Sequence, residues 1–203
     1  SACPMCMRGS LKHFLKLLVS SMLEKLIKSL EICPVVKRGE YNYFIHPITD
    51  GVPSLDPAVL REVATGMIKI MDLDRVDRIV AAEAMGIPIG SIISHMTDLP
   101  LNIVRKREYQ LRGEIPVHQV TGYSKGQLFL NGVREGERVV IVDDVVSTGG
   151  TTRGILAALH VAGAEVADIC FAIRKGYPDI GRPYKVLVTV EVSDRVRVVE
   201  QHL

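Results

Sequence analysis

Apolar residues along this chain follow two periods, one helical and one extended, and their alternation sets out the expected architecture. Leu11, Leu15, Leu18, Met22, Leu26 and Leu30 recur at helical spacing with lysines between them, which predicts a helix from about Leu11 to Ile32 whose apolar stripe suits a core or dimer surface. Tyr41 to Ile45 reads as a strand. Asp56 and Pro57 are a good N-cap and first helical residue for a helix through Met71, with Leu60, Val63, Ala64, Met67 and Ile68 on its inner face. Arg78 to Ala82, Leu101 to Val104 and Glu165 to Ile173 are short apolar runs that read as strands, the first of them followed by a helix through His95. Val139 to Val142 is unbroken and mostly β-branched, which suits a strand buried on both faces of a parallel sheet. Arg153 to Val161 reads as an amphipathic helix, while Lys185 to Val192 and Arg195 to Val199 alternate as closing strands. The βα order implies an α/β fold: an open, mainly parallel twisted sheet flanked by helices, with ligand loops at the carboxyl ends of the strands.

Composition adjusts this picture in several ways. The 203 residues have room for one domain with a good core, and 47% hydrophobic with 24% charged residues is the balance of a soluble globular protein. Residues 1–21 lack a clean period and a signal-type cleavage site, so they read as an N-terminal extension or a scar of expression ahead of a single domain, 22–203. The net charge of +2 gives no basis for a nucleic-acid partner, and no apolar run approaches the roughly 20 residues that a membrane span requires. Cys3, Cys6, Cys33 and Cys170 show no framework spacing, which favours a reducing cytoplasm. Cys3 and Cys6 form a CxxC, but His13 alone does not complete a zinc site.

The chemistry concentrates between Arg138 and Gly154, RVVIVDDVVSTGGTTRG. Two carboxylates, Asp143 and Asp144, follow where the strand is expected to end. Ser147, Thr148, Gly149, Gly150, Thr151 and Thr152 then form a turn of small and hydroxylated residues ahead of a helix. A helix start leaves backbone N–H groups unpaired and carries positive partial charge, glycines let the backbone wrap an anion, and hydroxyls add donors. The turn is therefore a place for a sugar phosphate. The carboxylates repel a phosphate and are better used as acceptors for ribose hydroxyls or as outer partners of magnesium. A P-loop is excluded because no GxxxxGK[ST] occurs, and a response-regulator pocket would explain the acids but not TGGTT. After Val104 comes RKREYQLRGEIPVHQVTGYSKGQ, polar and mixed in charge, either disordered or a functional lid able to fold over an anion.

VVIVDDVVSTGGTT resembles the phosphoribosyl-diphosphate signature of type I phosphoribosyltransferases. GEYNYFIHPITDG and VTGYSKGQLF resemble the archaeal-type hypoxanthine/guanine phosphoribosyltransferases, relatives of the adenine enzymes in fold. The resemblance implies a transferase of purine salvage that moves the phosphoribosyl group of phosphoribosyl diphosphate onto hypoxanthine or guanine and releases pyrophosphate. Its partners would be those two substrates, with magnesium as cofactor, in a cytoplasmic homodimer. Ser147 to Thr152 would anchor the 5′-phosphate, while Asp143 and Asp144 would accept from the ribose hydroxyls and hold magnesium indirectly, through water. Glu83, Ala84, Met85 and Gly86 fall at the family's pyrophosphate loop, where a non-proline cis peptide is expected between Glu83 and Ala84; Gly86 equally suits a close approach of helix to strand. Arg105 and Lys106 match the RK pair that opens the family's flexible loop and would neutralise the leaving pyrophosphate, with Tyr123 and Lys125 matching its YxK. FIHPIT, Phe44 to Thr49, resembles the FxDIT hood over the base, in which His46 is either a surface residue or near the ligand.

Base preference turns on two positions. Lys175, at a strand end, resembles the lysine of 6-oxopurine enzymes that donates to the purine O6; adenine would meet it donor to donor. Adenine-specific members place a glutamate before the loop tyrosine, where this chain has Gly122, and Glu108 or Glu114 could substitute. An adenine, xanthine or orotate transferase is the alternative within enzymes. A ligand-sensing regulator of the same fold would normally bring a DNA-binding module, and the N-terminus offers one long helix instead.

Overall fold

The structure, a computed structural model, describes residues 22–39, 41–120 and 125–203, with the backbone alone at 38, 118–120, 125 and 126. Residues 1–21, including half of the expected first helix and the CxxC, lie outside the described residues, as do Gly122 and Tyr123.

Six strands form the central sheet: β3 (Arg78–Ala82), β4 (Leu101–Val104), β7 (Arg138–Val146), β8 (Glu165–Lys175), β9 (Lys185–Val192) and β10 (Val196–Gln201), in the order β10-β9-β8-β7-β3-β4. All pairings are parallel except β9 with β10. The alternation of side chains along each strand sends one set to each face. Ile79, Ala81, Val140, Val142, Cys170 and Ala172 pack with α1 (Glu24–Ile32), α3 (Pro57–Ile70) and α4 (Gly86–Thr97). Val80, Val139, Ile141, Ile169 and Phe171 pack with α5 (Gly150–Ala162) and a hairpin of β5 (Ile115–Val120) and β6 (Lys125–Leu130). The expected α/β sandwich is therefore present, with a separate core on each side of the sheet. A second hairpin, β1 (Val35–Arg38) with β2 (Tyr41–Phe44), and the short α2 (Pro47–Asp50) form a small hood.

Several boundaries differ from the sequence expectation. Strand β7 does not end before the acids: pairing to β8 continues to Val146, so Asp143 and Asp144 lie inside the strand. Strand β8 likewise continues past Ile173 and includes Arg174 and Lys175. Helix α5 begins at Gly150 rather than Arg153, inside the glycine turn. Residues 115–120 and 125–127 of the stretch expected to be either disordered or a lid are strands of the β5–β6 hairpin and so are ordered, with Val117, Leu128 and Leu130 buried in the second core. Those apolar positions are separated by polar outward ones, so the stretch reads as polar although one face is core. Helix α1 starts at Glu24, so the helix expected to run through Met22 is interrupted there: Leu23 leaves the helical region, and Glu62 of α3 accepts from the Lys25 and Leu26 N–H groups at 2.9 and 3.1 Å. A carboxylate from another helix thus caps a terminus that has no capping side chain of its own. The cap and first residue of α3 are as expected, with Asp56 accepting from the Ala58 N–H at 2.7 Å ahead of Pro57.

His46 is not a surface residue: it is fully buried and caps α2. Its Nδ1 accepts from the Ile48 N–H at 3.1 Å, which leaves the proton on Nε2 to be donated to Ser29 Oγ at 2.9 Å; that hydroxyl in turn donates to the Leu26 carbonyl. Protonating Nδ1 would set donor against donor, and burial pushes the imidazole down from its ordinary 6.5 to about 4, against the pull of nearby Asp50. The unfolded chain takes up this proton from pH 6.5 downward and the folded chain only near 4. Stability from this group is therefore full above pH 6.5 and lost as pH falls through that window, by up to about 3 kcal/mol. Denaturant titrations at steps from pH 7 to pH 4 should show that loss, and His46→Asn, which keeps a capping oxygen without the titration, should lack it.

Candidate active site

Chain order reverses direction across the sheet between β3 and β7. The chain runs from β3 outward to β4 and then returns past β3 to β7, so the loops leaving β3 and β7 diverge and open a crevice at the carboxyl ends. Registers make this concrete. Strand β3 accompanies β7 only as far as Val142, opposite Ala81, whereas β8 accompanies it to Val146. Residues 143–146 of β7 are thus paired on one side and open on the other. A cavity of about 440 Å³ lies there, lined from one side by Ala82 to Met85 and from the other by Asp143 to Thr152, with Tyr43, Thr49 and Lys106 completing it.

Each wall has a local cause. Gly149 is the N-cap of α5 at φ 72°, and a Cβ on it would fall 2.4 Å from Ile180 Cγ2, so only glycine makes this turn. Gly149 supplies no capping side chain, so the start of α5, a place of positive partial charge, faces the cavity with Ser147, Thr148 and Thr151 beside it. On the facing wall the Glu83–Ala84 peptide is cis, at the position expected. Gly86 stands behind that wall: a Cβ there would lie 2.8 Å from Asp143 Oδ1 and 3.3 Å from the Val142 carbonyl. Its place in the structure is the close approach of α4 to β7, and it does not line the cavity.

Asp143 and Asp144 are adjacent in the strand, with Asp143 Oδ1 accepting from the Asp144 N–H at 3.0 Å. Burial raises both carboxyls above the usual range, and for Asp144 the charge of Asp143 raises it further. Among the described residues no group of three or more His, Cys, Asp or Glu side chains is placed to hold a metal. Hard oxygen donors in a pair suit a hydrated magnesium whose other ligands come from a substrate.

The cationic pair divides. Lys106 lines the cavity, whereas the Arg105 guanidinium lies against Glu83, Nε to Oε2 3.0 Å, and Glu83 also accepts from the Lys106 N–H at 3.1 Å. The side chain of Lys125, at the start of β6, lies outside the described residues. Glu114 does not line the cavity: it accepts from the Tyr109 and Gln110 N–H groups and from Asn131, and so fastens its own loop.

A smaller recess of about 50 Å³ adjoins the cavity, sharing Tyr43, Thr49, Val145 and Ser147 with it and adding Tyr41, Phe44 and Lys175. The Lys175 Nζ donates to the Asn42 carbonyl at 2.9 Å, and burial lowers its pKa. Sequence reasoning gave Tyr43 no place at the site and Thr49 one only as the end of the hood segment. Their signal was the period-2 alternation in YNYF, which puts Tyr41 and Tyr43 on one side of β2, and the single acid Asp50, whose carboxylate accepts from Tyr43 Oη at 2.7 Å and Thr49 Oγ1 at 2.6 Å.

Comparison with known proteins bears on this arrangement. The family model described as a phosphoribosyl transferase domain matches residues 55–200. The hypoxanthine/guanine phosphoribosyltransferase of Methanosphaerula palustris is 61% identical over 181 residues, covering 89% of this chain and all of that one. Its namesake from Methanospirillum hungatei is 60% identical over 176 residues, 87% of this chain and 97% of that one. Among solved structures, adenine phosphoribosyltransferase from Rhodothermus marinus shares the fold with a TM-score of 0.68 at 22% identity, covering 84% of this chain and 99% of that one.

Gly149→Ala should lower stability in chemical denaturation by about 2 to 4 kcal/mol, since it adds a strained backbone to a clash with a stiff β-branched side chain. A loss under about 0.5 kcal/mol would mean that the turn can open without glycine.

Proposed function

The chain belongs to the phosphoribosyl transferase domain family, and from that premise we propose that it transfers the phosphoribosyl group of phosphoribosyl diphosphate to hypoxanthine or guanine in purine salvage. The observation that carries the proposal is the cavity between the ends of β3 and β7, with an acidic pair on its floor, a glycine-capped helix start at one end and a lysine-bearing recess beside it. Relatives about 60% identical over nearly their whole length, named for that activity, support the same substrates.

Within this proposal the 5′-phosphate sits on the α5 start, held by N–H groups and hydroxyls of Ser147 to Thr152. Hydrogen bonds to a charged group are each worth roughly 1.5 to 3 kcal/mol, so a few suffice to anchor it. Asp143 and Asp144 accept from the ribose hydroxyls. As the bond from the sugar to pyrophosphate breaks, positive charge grows on the ribose carbon, and the buried acids stabilise it in a low-dielectric site. Lys106, the backbone of Glu83 to Met85 and a released Arg105 receive the pyrophosphate, and a purine nitrogen bonds to the ribose carbon as it gives up its proton to water. Magnesium, held through water by Asp143 and Asp144, would supply further positive charge to the pyrophosphate oxygens. Lys175 donates to the O6 of the base, with Lys125 an additional contact carried from the family's loop.

A cytoplasmic homodimer without nucleic-acid or membrane partners completes the proposal. The free thiols of Cys33 and Cys170 support a reducing compartment, the family resemblance supports the dimer, and the near-neutral charge argues against nucleic acid.

Nucleotide formation should be measured from phosphoribosyl diphosphate and magnesium with hypoxanthine, guanine, adenine, xanthine and orotate side by side. Hypoxanthine and guanine should react and adenine should not; reaction with adenine alone would reverse the base assignment. Combining Asp143→Asn with Asp144→Asn should lower turnover by at least about 100-fold with the fold intact, and near-normal kinetics would refute the roles given to the acids.

A further inference from the structure

Lys175 ends β8, yet its ammonium is fixed by the hood. Besides the bond to the Asn42 carbonyl, Nζ lies 3.7 Å from the centroid of the Tyr41 ring, within the range in which an aromatic face attracts a cation. Tyr41 and Asn42 are neighbours on β2, so one short strand grips the ammonium from two directions. Asn42 takes one of the three N–H donors and the ring covers a flank, which leaves donor capacity facing the recess. A lysine has a flexible four-carbon stem and no planar fork to fix its direction. Without these contacts the ammonium would be free to turn away, and burial would favour its neutral form.

We infer that Tyr41 is a positioning residue for base selection: its ring, together with the Asn42 carbonyl, aims the Lys175 ammonium at a carbonyl oxygen on the acceptor base. The inference rests on the purine-transfer function proposed above. Discrimination between 6-oxo and 6-amino purines then belongs to β2 and β8 jointly. The strand that roofs the recess also sets the direction of its donor, so hood and specificity are one unit.

Steady-state kinetics with hypoxanthine and adenine test this in Tyr41→Leu, Tyr41→Phe, Lys175→Met and the Tyr41→Leu/Lys175→Met double variant. Tyr41→Leu should raise KM for hypoxanthine about 5- to 30-fold, the range for a partly desolvated cation on an aromatic face. KM for phosphoribosyl diphosphate should stay near wild type and relative use of adenine should rise. Tyr41→Phe, which keeps the ring, should restore most of the loss, and Tyr41→Leu should add little once Lys175 is already Met. Should Tyr41→Leu fail to fold, Tyr41→Met makes the same comparison with more of the volume kept. A full penalty for Tyr41→Leu on top of Lys175→Met, or an equal rise in KM for both substrates, would show a merely structural tyrosine and overturn the inference. If Lys175→Met loses hypoxanthine while Tyr41 variants behave as wild type, the inference falls and the function stands. If the wild-type chain uses neither hypoxanthine nor guanine, both fall.

Discussion

Everything at the carboxyl edge of this sheet follows from unequal pairing along β7. Its first half is clamped between β3 and β8 and reads as pure core, while its second half keeps β8 alone. A strand with both neighbours has no free edge; a strand that loses one exposes backbone and side chains to whatever fills the gap. The two acids occupy that transition. They are rigid because the strand still continues on one side, and accessible because it does not on the other. The cavity is thus held by the same hydrogen bonds that hold the core.

Close packing behind the cavity reinforces the arrangement. With no side chain at Gly86, α4 sits against Asp143 and the Val142 carbonyl, and Gly90 lets the same helix press on Leu101 and Ala81. The cost of a methyl in such contacts is usually 1 to 3 kcal/mol, paid as displaced backbone. Here displacement would be felt directly by the acidic pair. The hood is tied down by a different means, a polar chain from Leu26 through Ser29 to His46 on one side and Asp50 with Tyr43 and Thr49 on the other.

The fold was largely legible because its signals are local. Arg78–Ala82, Leu101–Val104 and Lys185–Val192 begin and end in the structure where their apolar runs do, and Asp56-Pro57 marks a helix start by its own chemistry. What failed was set by distant partners. Strand β7 runs through two carboxylates because β8 continues beside it, a fact that no window on VVIVDD contains. The β5–β6 hairpin is held by a buried face against α5 and by backbone hydrogen bonds between Phe129 and Arg105 beyond β4, partners distant from it in sequence. For the site, Asp143 to Thr152 announced themselves through glycine, hydroxyl and acid in sequence. Tyr43 and Thr49 come from a hood some hundred residues earlier, and only tertiary structure brings them to the same cavity. His46 was misjudged because a buried histidine and an exposed one look alike until their partners are known.

The ion pair of Arg105 with Glu83 has a consequence for how the cavity handles charge. In the resting protein the guanidinium already has a carboxylate at its side, so the wall offers a balanced pair instead of a bare cation. An incoming polyanion that draws on Arg105 must exchange partners with Glu83, and the released carboxylate is then an acceptor looking for a donor or a cation. Such an exchange leaves the wall more negative by the charge of the polyanion, which a cation brought in with it would offset. It also blunts long-range attraction of irrelevant anions, so that selectivity rests on contact geometry more than on the field of the open site.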